Sequence, residues 1–172
     1  MRRWAGMALL EVILVIIMVA FLFLIAMDRL LPLRGQAEAA SVTVSIGVMQ
    51  AALGNRIAAT VLKEGFAALP QYVGSNPVDL LAKPPKGYLG AQPEVDLDAL
   101  PPGSWVFDES RGTLIYRVRY GEYFEGSLRD PPRGEWRIEA RYADDSTRPE
   151  DLRSVLLVPL AEVRWRRDEP AQ

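Results

Sequence analysis

From Met7 to Met27 the chain carries 21 residues, of which only Glu11 is charged. As a helix rising about 1.5 Å per residue, such a run spans roughly 31 Å, the thickness of a bilayer's hydrocarbon core. A segment this apolar must cross lipid or be covered by protein. A carboxylate near its start is costly in either setting unless a cation meets it. Arg2 and Arg3 precede the run. Beyond Met7 the remaining 18 of 20 basic residues face 22 acidic ones. This asymmetry predicts a cytoplasmic N-terminus, with the rest of the chain across the membrane.

Three readings of the run compete. A secretory signal peptide would be cut at the A-x-A-like site Ala37-Glu38-Ala39. Against it, the run is longer than a usual h-region of about 7–15 residues, Glu11 interrupts it, and Pro32 and Arg34 precede the site. A plain single-pass anchor explains the length and Arg2/Arg3 but leaves Glu11 without a purpose. In the third reading the chain is cut between Gly6 and Met7. The new α-amino group is then a cation one helical turn from Glu11. In a staggered stack of such helices, the amine of one subunit can meet Glu11 of its neighbour, and the buried pair fixes axial register.

The stretch Gly6-Met7-Ala8-Leu9-Leu10-Glu11 resembles the cleavage motif of type IV pilins and type II secretion pseudopilins. The resemblance implies a basic leader ending at Gly6, cleavage by a prepilin peptidase, N-methylation of Met7, and Glu11 as the fifth residue of the mature chain. Met7 stands where Phe is commoner and Ala8 where Thr is commoner. Many members have a kinking Pro in the second half of the run. The first Pro here is Pro32, so local melting of the helix is expected near Leu31–Gly35. Two further stretches, from Asn76-Pro77 to Gly87-Tyr88-Leu89-Gly90 and from Pro102-Gly103-Ser104-Trp105 to Tyr116, look like parts of bacterial minor pilins and pseudopilins.

The expected fold class is α+β, with a long N-terminal helix packed on a C-terminal antiparallel sheet, as in a pilin. The boundaries are a leader over 1–6, a membrane or filament-core helix over 7–31 and an amphipathic helix over 32–69. A Pro/Gly-rich loop region follows over 70–103, then the sheet over 104–166 and a polar tail over 167–172. Val42, Ile46, Met49, Leu53, Ile57 and Val61 recur every three or four residues, one apolar stripe suited to packing on the chain's own sheet. Val44 and Val48 lie off that stripe, where neighbouring subunits would pack. Asn76 and Pro77 read as the cap and first residue of a short helical turn. From Trp105 the period changes to two, through Leu114–Tyr120, Trp136–Tyr142 and Val155–Trp165. Pro159 inside the last run points to an edge, a bulge or two short strands. One sheet face is aromatic and should cover the helix. The other carries Arg117, Arg119, Arg137 and Arg141 with Glu139, a solvated face or a surface for an acidic partner.

The sequence holds no Cys and no His. Disulfides, thiol nucleophiles, histidine acid/base chemistry and ordinary zinc sites are therefore excluded. No phosphate-cradling loop or nucleophile elbow is present, so no catalytic residue, metal or cofactor is assigned. Asp96 and Asp98 read as a solvated loop. Asp144-Asp145-Ser146-Thr147 is the nearest counterpart of the calcium loop of some pseudopilins. With no strongly basic domain, a nucleic acid partner is not expected. The expected partners are the inner membrane, other pilin or pseudopilin subunits through the N-terminal helix, the prepilin peptidase and a membrane assembly platform. The expected role is a structural subunit placed first in the inner membrane and then in a pilus or pseudopilus. The alternatives are a tip subunit that binds a surface or DNA, and a plain anchored periplasmic protein.

Overall fold

A computed structural model describes residues 4–31, 33–142 and 151–166. Arg2 and Arg3, Pro32, the Asp144–Thr147 stretch and the 167–172 tail lie outside the described residues.

Two helices open the chain, α1 over Trp4–Leu30 and α2 over Leu33–Glu64. Leu31 still donates its N–H to the Met27 carbonyl at 3.0 Å, and Arg34 donates to Leu31 at 3.2 Å. The break between the helices thus falls within the interval expected to melt. α1 is long and apolar enough to cross a membrane, and none of its Leu9–Met27 window is covered by the body. α2 ends at Gly65, whose φ of 81° favours a residue without Cβ. A 3₁₀ segment, Phe66–Tyr72, follows and runs through Pro70. The regular helix therefore stops five residues short of the expected boundary at 69.

The apolar stripe of α2 is buried as its spacing requires. Val42, Met49 and Leu53 join one core, with Ile46, Ile57 and Val61 packed against it. The opposite surface stays open, with Val44 at 65% and Val48 at 52% exposure. Strands supply the other side of the core: β1 over Tyr88–Gln92, β2 over Trp105–Asp108, β3 over Thr113–Arg117, β4 over Arg133–Tyr142 and β5 over Leu152–Pro159. They form one five-stranded sheet in the order β1-β2-β3-β4-β5. Trp105, Phe107, Leu114, Tyr116, Trp136 and Ile138 face α2. The Trp105 ring lies 4.6 Å from that of Tyr116 and 5.6 Å from that of Trp136.

The sheet is mixed rather than purely antiparallel. β2 to β5 pair antiparallel, but β1 pairs with β2 in parallel. β1 lies inside the stretch expected to be irregular. Gly90, with φ of 98°, sits where the β1–β2 register shifts. A bulged edge strand of five residues has little alternation to reveal it. Parallel pairing requires a crossover. The chain makes it by passing over the far face of the sheet, where Val95, Leu97 and Leu100 cover Val106 and Ile115. That face is therefore not the wholly solvated surface its arginines imply.

Pro159 closes β5, which is an edge strand, so the missing proline N–H removes no bond from a central ladder. Beyond it the chain returns beside residues 123–127. Glu125 donates to the Arg164 carbonyl at 2.8 Å, and Arg166 donates to that of Tyr123 at 2.7 Å. Asn76 caps its 3₁₀ turn by accepting from the Val78 N–H at 3.1 Å. Its amide also donates to the Tyr88 hydroxyl at 2.9 Å, tying the turn to β1.

Candidate functional site

The residues singled out by the motif lie on the first turns of α1. Gly6 and Met7 are both inside Trp4–Leu30, and Glu11 follows Met7 by one turn. Glu11 is exposed, and among the described residues no cation pairs with it. The large apolar side chains around it are equally bare, from Leu9 at 64% to Ile25 at 45% exposure. A rod so apolar and so unburied within its own chain needs lipid or other protein around it.

What fixes that rod to the body is a joint at the start of α2. Gly35 is buried, and a Cβ built there would meet the Tyr123 Cβ at 2.6 Å. Only glycine permits this approach. One turn further on, the buried Glu38 carboxylate accepts three hydrogen bonds. Its Oε1 takes the Tyr116 hydroxyl at 2.8 Å and the Arg119 N–H at 2.6 Å. Its Oε2 takes the Tyr120 N–H at 2.9 Å. Arg119 and Tyr120 lie just beyond the end of β3, where their N–H groups have no strand partner, and the helix carboxylate supplies the acceptor. Burial, and then the bond to Glu38, push the Tyr116 hydroxyl above its ordinary range, so it stays protonated and donates.

The arginine-bearing face is organised around a carboxylate. Glu135, on β4 and buried, pairs with Arg111 and Arg133, each at 2.7 Å. Burial alone would raise the Glu135 carboxyl. The guanidinium groups of Arg133 and Arg111 overcome it and hold the group below the usual carboxylate range. Arg117 and Arg137 lie half-buried beside them, and their Nε atoms have no acceptor among the described residues. Arg119 leans against Gly103 at the end of the crossover, and Arg141 is exposed. The four arginines thus form no continuous exposed patch. Among the described residues no cluster of acidic side chains is arranged for a metal ion, and the Asp96 carboxylate caps its own loop through the Asp98 N–H at 3.0 Å.

Gly35 and Glu38 escaped the sequence reading, although a signal was present. Continuing the stripe backwards from Val42 by four and then three residues lands on Glu38 and Gly35. Both were passed over because neither is apolar. No family model, curated protein or solved structure matches this chain.

Proposed function

We propose that the chain is a minor-pilin or pseudopilin-like structural subunit, with a pilin-like arrangement of helix and sheet. It is inserted by α1 with its N-terminus cytoplasmic, cut between Gly6 and Met7, N-methylated at Met7, and assembled through its helices into a pilus or secretion pseudopilus. The observation that carries this reading is the union of a bare apolar α1 with an α2 whose first turns are built into the body. Ordinary signal-peptidase cleavage after Ala39 would remove Gly35 and the buried Glu38, leaving the Arg119 and Tyr120 N–H groups without their acceptor. Cleavage after Gly6 leaves that joint whole. It also leaves Glu11 one turn from a new amine, so subunit docking relieves a charge that lipid disfavours.

The test is the N-terminal mass of the protein recovered from membranes, with and without a prepilin peptidase. A chain starting at N-methylated Met7 is expected, and Gly6→Ile should accumulate as uncut precursor. A chain that keeps its leader when the peptidase is present would identify a plain anchor. A start at Ala40 would identify a secreted protein.

A further inference from the structure

A cleft of about 360 Å³ opens between the first turns of α2 and the end of β3. Arg34, Lys86, Arg119 and Ser41 line it, above the buried Glu38–Tyr116 pair. The three cations have no carboxylate partner among the described residues. The carboxylate facing them is already committed, because both Glu38 oxygens accept donors from the end of β3. Two positive charges therefore remain in excess around a recess of the size that holds small ligands. Clustered like charges in a concave wall focus the field and attract an anion. Two guanidinium forks and an ammonium suit a tetrahedral oxyanion with several acceptors.

We infer that this cleft binds a phosphate-bearing anion, held by Arg34, Lys86 and Arg119 with the Ser41 hydroxyl as a further donor. Its place in the chain allows two sources. Arg34 follows Met27 by seven residues across the break after Leu30, a rise of about 10 Å when counted at the pitch of the flanking helices. A bilayer's polar layer extends roughly 5–8 Å beyond the hydrocarbon. Long side chains on a helix lean back toward its N-terminus. A phospholipid headgroup and a soluble phosphate are thus both within reach. Only the lipid source rests on α1 lying in a membrane. The anion site rests on the cleft.

Full-length protein in phosphatidylcholine nanodiscs should bind radiolabelled inorganic phosphate saturably at constant chloride. The exposed pair Lys86→Gln/Arg119→Gln should weaken binding at least about tenfold. Ser41→Glu, which places a carboxylate at the rim, should do the same. Arg56→Gln/Arg153→Gln, exposed and outside the cleft, should leave binding unchanged. Release of bound phosphate when phosphatidylglycerol is added to the discs assigns a lipid headgroup, and retention assigns a soluble phosphate. A preference for phosphatidylglycerol that both cleft variants abolish, without phosphate binding, also supports the site with lipid as its source. The inference is overturned if neither phosphate nor phosphatidylglycerol binds. It is equally overturned if binding survives in both cleft variants while their thermal unfolding matches the parent. Processing at Gly6 is read separately by mass, so failure of either proposal leaves the other standing.

Discussion

Glu38 on α2 receives the Tyr116 hydroxyl of β3 at 2.8 Å across 78 residues of sequence. The same carboxylate takes the next two available backbone N–H groups, at Arg119 and Tyr120. A helix that would otherwise meet the sheet only through its apolar stripe is thereby tied to the strand end by three directional bonds.

Removing the acceptor should cost more than removing one donor. Glu38→Ala leaves two backbone N–H groups and a hydroxyl unmatched in a buried site, and should lower stability by about 2–4 kcal/mol. Tyr116→Phe deletes one donor and keeps the ring, so about 1 kcal/mol is expected. Denaturant unfolding of the detergent-solubilised chain measures both. Equal losses would mean that the two backbone bonds contribute nothing.

Two glycines on α2 should respond with opposite signs. Gly35→Ala forces Cβ to within 2.6 Å of the Tyr123 Cβ. Overpacking of this kind costs about 1–3 kcal/mol, more than the gain in helix propensity of up to about 1 kcal/mol. At Gly54 a Cβ meets nothing within 4 Å. Gly54→Ala should therefore stabilise the chain by up to about 1 kcal/mol. Thermal unfolding of the two variants against the parent decides the signs.

Glu135 predicts an acid limb. Its carboxyl is held below the ordinary range in the folded state. The stabilisation is then present above the unfolded carboxylate range and is lost as pH falls through the lower folded value, in a window below about pH 4. Glu135→Gln should lower stability at neutral pH by about 1–3 kcal/mol and flatten the loss on acidification. An acid limb identical to the parent's would assign the transition to other carboxylates.

Glu11 tests the register argument. Glu11→Val should insert and be processed, because it makes the run more apolar. Under the proposed assembly it should enter filaments poorly, because the amine of the adjoining helix would lose its partner. The measurement is the ratio of assembled to membrane-bound subunit, and a ratio equal to the parent's would remove the ion pair from the assembly mechanism.

Period and punctuation were enough to read much of this architecture. The membrane-length α1, the stripe from Val42 to Val61 and the Asn76-Pro77 turn each follow from local rules, and Pro159 narrowed its run to an edge, a bulge or two short strands, of which the fold selects the edge. Apolar spacing records which side is buried, and proline records which backbone group cannot pair. The parallel strand β1 was not legible, because its partner and the crossover over Val106 and Ile115 are set by tertiary packing rather than by alternation.

The motif at Gly6, Met7 and Glu11 is a property of the sequence alone, and α1 adds only that these residues lie on one helix, with Glu11 exposed. The joint of Gly35 with Tyr123 and of Glu38 with the end of β3 was decided by tertiary structure. The backward continuation of the apolar stripe from Val42 marks the two positions, but neither a glycine nor a carboxylate is apolar, so the spacing by itself does not say that they are buried. Their burial depends on an aromatic ring and two unpaired N–H groups that arrive some eighty residues later, and only the folded chain brings those groups within hydrogen-bonding distance.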